Sequence, residues 1–292
     1  CKMVVHWCGT GLSAIPGLKK LIRAGNDVIV WNRTVSKAMR DLEDVQVTIC
    51  EFDIKALEEK LAPKDIIVSM LPGDWHVPLA EVAISKKTHF VSSSYISPEM
   101  RNLNNAAIEA EVALINEIGL DPGIDHLMAH KLVNDFKKSE LINAETAVSF
   151  LSYCGGVPKT PNEFKYKFSW SPLGVLKALK SPSRSIKDFE DFEVNRPWNA
   201  ITSYNAPLNN PEEFEVYPNR DSLPFIEQYD FDRNWKIKQF VRGTLRLKGW
   251  SKAWAGIFNE IETLHGVAGE KRLIEMSCLL YTSPSPRDNK AS

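Results

Sequence analysis

Gly9-Thr10-Gly11-Leu12-Ser13-Ala14 reads G-x-G-x-x-A. It follows an apolar run, Met3 to Trp7, that reads as a strand. It opens an amphipathic run, Ala14 to Ala24, that reads as a helix ended by Gly25. The first glycine permits a tight turn and the second lets the backbone approach a pyrophosphate. The small third residue lets helix and strand pack closely. The helix start then offers N–H groups and a positive dipole end to phosphate. Outward from this loop, strands at Val28–Trp31, Val45–Ile49, Ile66–Leu71 and Phe90–Ser92 alternate with helical stretches near Ile54–Leu61, Val77–Ser85 and Pro98–Ala110. This spacing predicts an α/β architecture, a doubly wound parallel sheet with every strand end on one rim. A glycine-rich turn that binds nothing is the alternative reading of the loop alone.

The end of the second strand selects the cofactor. An NAD site places Asp or Glu there to accept from the ribose 2′-hydroxyl. This chain has Asn32-Arg33-Thr34. Arg can clamp a 2′-phosphate with paired donors where an acid would repel it. NADP(H) is therefore expected over NAD(H); the alternative for Arg33 is a solvated loop residue.

Residues 117 to 126 read Glu-Ile-Gly-Leu-Asp-Pro-Gly-Ile-Asp-His. They join an apolar run, Val112 to Asn116, that reads as a buried strand, to a helical run, Leu127 to Phe136. Asp121 and Asp125 thus sit on a tight strand-to-helix loop, where open α/β sheets bind ligands. Asp121 is read as functional, and Asp125 mainly as a helix cap. Tyr95, after the strand at Phe90, and Cys154 are further proton-transfer candidates; a buried hydrogen-bonding ring and an inert thiol are their structural alternatives. His126 and His130 have zincin spacing, but Leu127 stands where the required Glu would be, so no metal site is expected.

Beyond about residue 125 the rhythm changes. Strands are expected at Thr146–Tyr153, Phe214–Tyr217 and Lys238–Lys248, with large loops over the Pro-, Asn- and aromatic-rich stretch from Gly155 to about Asn210. This suggests a second, α+β domain whose tryptophans pack its core or a dimer contact. The mixed charges from Lys177 to Glu193 read as a solvated face. The boundaries expected are 1–124, 125–278 and a non-native tail, 279–292, which has two prolines and no periodicity. With Cys1 at the other end, a fragment is expected.

The 292 residues, 43% of them apolar, suffice for two cores. A net charge of −1 gives no basic excess for nucleic acid. No apolar run reaches the roughly 20 residues of a membrane span. Five cysteines without C-x-x-C spacing fit a reducing cytoplasm.

Longer motifs carry a resemblance. Ser93-Ser94-Tyr95-Ile96-Ser97-Pro98, the stretch Asn116 to His126, Ser149 to Gly156, Tyr166 to Ser171, Tyr217-Pro218-Asn219-Arg220-Asp221-Ser222 and Arg242-Gly243-Thr244-Leu245-Arg246 closely resemble the glutamate-forming saccharopine dehydrogenases, from about Val4 to about Leu264. The resemblance implies a Rossmann-type domain followed by a substrate and dimerisation domain. It implies NADPH-dependent reduction of the imine formed between L-glutamate and 2-aminoadipate 6-semialdehyde, giving saccharopine, or the reverse. In that family the chain continues further and packs back on the nucleotide domain. The residues expected to hold cofactor are Gly9, Thr10, Gly11, Leu12, Asn32, Arg33, Thr34, Asp53, Ile54 and Leu71, with Leu120, Asp121 and Trp170 bordering the nicotinamide. Ser94, Tyr95, Arg220, Arg242, Gly243 and Thr244 are expected to contact saccharopine, whose three carboxylates suit arginine forks. Asp121, Tyr95 and Cys154 are the proton-transfer candidates. The expected partners are a small amino-acid substrate and a second copy of the chain, without nucleic acid or membrane. Two rivals stand beside this reading: a polyamine-forming dehydrogenase of the carboxynorspermidine or homospermidine type, and a non-catalytic NADP-binding regulator.

Overall fold

The computed structural model describes residues 3–139, 143, 145–160, 162–207 and 212–282. The chain divides into two compact units, Cys1–Ile124 and Asp125–Ser292.

The first unit runs β1 (Val4–Cys8), α1 (Ile15–Arg23), β2 (Asp27–Asn32), α2 (Val35–Asp41), β3 (Thr48–Glu51), α3 (Ile54–Lys60), β4 (Ile66–Ser69), α4 (His76–Lys86), β5 (His89–Ser92), α5 (Pro98–Asn102), α6 (Asn104–Glu109) and β6 (Leu114–Ile115). The six strands are parallel, in the order β3-β2-β1-β4-β5-β6. This is the expected doubly wound fold. Its winding reverses between β1 and β4, and that switch point opens a crevice at the strands' carboxyl ends. Two apolar clusters fill the interior, one around Trp31, Leu57, Ile67, Leu79 and Phe90, the other around Trp7, Leu18, Val30 and Leu42.

Three elements of this unit differ from the pattern expected from the sequence. The run Val112–Asn116 gives only the two-residue edge strand β6, and Ile115 is 45% exposed. An edge strand has one partner, so it is not buried on both sides. The expected helix Pro98–Ala110 is two short helices broken at Leu103, where Asn102, Asn104 and Asn105 favour local backbone bonding over helix. The third strand begins later than Val45, because Val45 N–H closes a turn on the Leu42 carbonyl.

The second unit runs α7 (Ile124–Lys137), β7 (Ala147–Cys154), α8 (Pro172–Lys180), β8 (Ser183–Lys187), β9 (Glu190–Val194), β10 (Thr202–Asn205), β11 (Glu213–Pro218), α9 (Pro224–Gln228), β12 (Lys236–Leu247), α10 (Trp250–Glu262) and α11 (Gly266–Thr282). Its sheet is mixed, β10-β11-β12-β8-β9, with β7 parallel along β12. One edge of β12 carries β7. The other carries β8 at Gln239–Phe240 and β11 from Gly243 to Leu247. Arg242 lies where β12 changes partner.

The stretch from Gly155 to Asn210, expected as large loops, holds α8, β8, β9 and β10. Ser171 caps α8 by accepting from Gly174 N–H at 3.1 Å. The β8–β9 turn uses Asp188 and Phe189 at φ 51° and 71°, without the glycine that would announce it. Tyr166, Phe168, Tyr217, Trp250, Trp254 and Phe258 pack a core in this unit, whereas Trp170 is 45% exposed and Phe189 53%. A second cluster joins α7 to the sheet through Val133, Val148, Phe150, Tyr229 and Phe240. Helix α11 continues through Leu279–Thr282, and the rest of the expected tail, 283–292, lies outside the described residues. Among the described residues, no helix is long and apolar enough to cross a membrane.

Candidate active site

In the first unit the candidate residues gather on the carboxyl rim. Gly9 leaves β1 at φ +101°, and its N–H donates to the Trp31 carbonyl at 2.8 Å. A Cβ there would lie 2.9 Å from the Met70 carbonyl oxygen, so no other residue fits without a shift. At Gly11 a Cβ would meet nothing within 4 Å. That space is what a pyrophosphate needs beside the backbone. Ala14, at the third position of the motif, is buried against the sheet. The loop therefore fits a dinucleotide.

Asn32 fastens the loop to the end of β2. Its side-chain oxygen accepts from Thr10 N–H at 3.2 Å, and its amide donates to the Thr34 carbonyl at 2.9 Å. Arg33 is exposed beside it. Lys37 was not singled out in the sequence, yet its Nζ donates to the Thr10 carbonyl at 2.9 Å and pairs with Asp41. Its position one helical turn past Arg33 was the available signal. Asp53 caps α3, accepting from Ala56 N–H at 2.9 Å, and Ile54 follows it. Leu71 packs against Gly9, while Leu12 is exposed at the loop tip.

The strand-to-helix loop at 117–124 is tied to the end of β5. Ile118 N–H donates to the Ser92 carbonyl and Glu117 N–H to that of Ser94, both at 3.1 Å. Gly123, at φ +146°, lies so close to Gly119 that a Cβ would sit 2.2 Å from its carbonyl oxygen. The Asp121–Pro122 peptide is cis. This loop brings Asp121 to Tyr95, whose hydroxyl donates to Asp121 Oδ1 at 2.6 Å. Leu120 beside it is 65% exposed. A phenol bonded to a carboxylate at an exposed position can give or take one proton. Ser94, the neighbouring candidate, meets the buried His76: Nε2 is 2.8 Å from Ser94 Oγ.

The second unit holds the remaining candidates. Arg242 Nη2 donates to Asp125 Oδ2 at 2.6 Å, with both side chains about nine-tenths buried (11% and 10% exposed). The guanidinium lies 3.9 Å from the centre of the Phe225 ring. Asp125, read as mainly a cap, is thus the carboxylate partner of Arg242, and it lies inside the first turn of α7 rather than before it. His126 stacks on Phe225 and reaches Tyr229 Oη at 2.8 Å. Arg220 takes a left-handed φ of 56° in the loop after β11. That loop is fixed at the partner change: Asn219 N–H donates to the Arg242 carbonyl, and Ser222 Oγ accepts from Arg242 N–H, both at 3.0 Å. The backbones of Arg220 and Arg242 are so brought together. Gly243 and Thr244 follow, opposite Tyr153 and Cys154 of β7. Trp170 packs on Gly174 of α8.

Known proteins are similar to this chain in sequence and fold. The saccharopine dehydrogenase NADP binding domain matches residues 5–115, and the saccharopine dehydrogenase C-terminal domain matches residues 119–288. The chain is 36% identical over 249 residues to the saccharopine dehydrogenase [NADP(+), L-glutamate-forming] of Pyricularia oryzae, covering 83% of this chain and 54% of that protein. It is 34% identical over 262 residues to the mitochondrial alpha-aminoadipic semialdehyde synthase of Rattus norvegicus, covering 85% and 27%. The solved apo saccharopine dehydrogenase (L-Glu forming) of Saccharomyces cerevisiae superposes with a TM-score of 0.74 at 34% identity, over 91% of this chain and 60% of that one. The chain spans about half the length of the fungal relative it matches. NADP(H) is the cofactor that its first domain is built for, as read from the sequence. The chain belongs to the saccharopine dehydrogenase family.

Proposed function

We propose that this chain interconverts saccharopine with L-glutamate and 2-aminoadipate 6-semialdehyde. The relatives' names support the reaction, and the observation that carries it is the Tyr95–Asp121 pair at the rim of an NADP-binding sheet. In the oxidative direction a C–H beside the secondary amine is lost as hydride, leaving an imine. Water adds, the C–N bond breaks, and one proton is released. NADP+ supplies the hydride acceptor when bound.

The chain's residues bind, orient and move protons. Gly9, Thr10, Gly11 and Leu12 offer the pyrophosphate turn. Arg33, with Asn32 and Thr34, faces the 2′-phosphate, and Asp53, Ile54 and Leu71 line the adenosine side. Leu120, Asp121 and Trp170 border the nicotinamide. The Tyr95 hydroxyl and Asp121 carboxylate exchange the protons that water addition and amine release require, with Cys154 as a further donor. Arg220, Arg242, Gly243, Thr244 and Ser94 hold the carboxylates. Arg242 suits this because Asp125 and Phe225 fix its guanidinium plane. Cys1–Ile124 then acts as the cofactor domain and residues 125–278 as the substrate and dimerisation domain. A homodimer and a cytoplasmic location complete the reading, resting on the family resemblance and the cysteine pattern.

The test is spectrophotometric. NADPH consumption should require L-glutamate and the semialdehyde together. Equal consumption with a diamine in place of glutamate would replace this reading with the polyamine-forming one. No consumption, with NADPH binding intact, would favour a non-catalytic NADP-binding role.

A further inference from the structure

A polar chain runs inside the first unit, at the carboxyl ends of β4 and β5. Ser69, the last residue of β4, is fully buried, and His76, the first of α4, is 7% exposed. His76 Nδ1 lies 2.9 Å from Ser69 Oγ, and Nε2 lies 2.8 Å from Ser94 Oγ. The ring packs edge-on to Phe90, 6.3 Å between centres. Ser94 is pinned at two more points. Its N–H donates to Ser92 Oγ at 3.3 Å, and its carbonyl accepts from Glu117 N–H at 3.1 Å. Ser92 Oγ in turn donates to Asn116 Oδ1 at 3.0 Å.

A hydroxyl has one hydrogen to give. If Ser94 gave it to His76, only lone pairs would remain for a ligand, and these repel a carboxylate. A carboxylate at Ser94 therefore requires Nε2–H to donate to Ser94 Oγ with the Ser94 hydrogen outward, and in a neutral ring Nδ1 then accepts from Ser69 O–H. We propose that His76 is a positioning residue, held by Ser69 as the Nε2–H tautomer, which turns the Ser94 hydroxyl hydrogen toward a carboxylate of the amino-acid substrate. Burial supports this, since it lowers the His76 pKa and favours the neutral ring. The proposal rests on the reading of Ser94 as a substrate contact.

Two measurements decide it. Nitrogen NMR of the histidine-labelled chain reads the tautomer directly: the neutral Nε2–H form is expected at neutral pH, and the Nδ1–H form or an imidazolium overturns the proposal. Calorimetry of saccharopine binding to the NADP+-loaded chain reads the consequence. Ser94→Ala and His76→Leu should each weaken binding about tenfold, the loss expected for a hydrogen bond to a charged group. The double variant should be no weaker than either single one, because both changes remove the same contact. His76→Gln, whose amide can still donate to Ser94, should stay within about threefold of wild type. NADP+ affinity should hold in all four, which a general structural defect would not allow. If Ser94→Ala binds like wild type, the substrate reading of Ser94 fails and the proposal falls with it. If Ser94→Ala weakens binding and His76→Leu does not, that reading stands and the proposal alone falls.

Discussion

The two units place their chemistry differently. In the first, every candidate lies at the carboxyl end of a parallel strand: Gly9 after β1, Arg33 after β2, Asp53 after β3, Leu71 after β4, Tyr95 after β5 and Asp121 after β6. In the second, Arg242 sits inside the 12-residue strand β12, where one neighbour gives way to another. A parallel sheet exposes its functional groups by topology alone. A mixed sheet buries a strand interior, so a charge there must bring its own partner. Arg242 brings Asp125.

The sharpest way to break this contrast is to remove that partner. Asp125→Ala removes the carboxylate 2.6 Å from a guanidinium that is nine-tenths buried, and should cost about 3 kcal/mol in denaturant unfolding. A loss below about 1 kcal/mol, the value of an exposed pair, would show that the Arg242–Asp125 pair behaves as a solvated one. In the first unit the corresponding change is conformational. Gly9→Ala forces an alanine to φ +101° against the Met70 carbonyl, and should cost about 2 kcal/mol together with most of the NADPH affinity. Unchanged NADPH titration would remove the loop from the cofactor site.

The same contrast explains what could be read from the residues alone. The glycine loop, the strand–helix alternation and Asn32-Arg33-Thr34 are local signals, and the topology of the first unit follows from them. The β8–β9 turn gives no such signal, because Asp188 and Phe189 hold left-handed conformations that only tertiary context enforces. Asp125 looked like a cap because its partner lies 117 residues away. His76 carried no motif; it matters because β4 and β5 are adjacent, which brings Ser69 and Ser94 to its two nitrogens. Lys37 was legible only by its helical spacing from Arg33.

A smaller effect sharpens the cofactor side. Arg33→Asp should move preference from NADPH toward NADH by at least about tenfold, since it replaces a phosphate clamp with a repelling charge. An unchanged ratio would assign the 2′-phosphate to other cations, Lys37 first. The smallest effect concerns pH. His76 and His6 both have pKa values lowered from 6.5, chiefly by burial, with Asp65 opposing the shift at His6. The unfolded chain therefore binds protons that the folded one refuses. Stability is full above pH 6.5 and falls as pH drops through the folded-state values. Thermal unfolding should show Tm declining slightly from pH 7 to pH 5, and His76→Phe should flatten part of that slope. A Tm that rises on acidification would contradict both assignments.

Steady-state kinetics separates the roles of the two arginines. Steady-state constants for saccharopine and NADP+ should be measured in Arg242→Lys and Arg33→Asp. The predicted result is that Arg242→Lys, which keeps the charge and loses the planar fork, raises KM for saccharopine about tenfold with the NADP+ constant unchanged. Arg33→Asp should do the reverse. A saccharopine constant indifferent to Arg242→Lys would contradict the account.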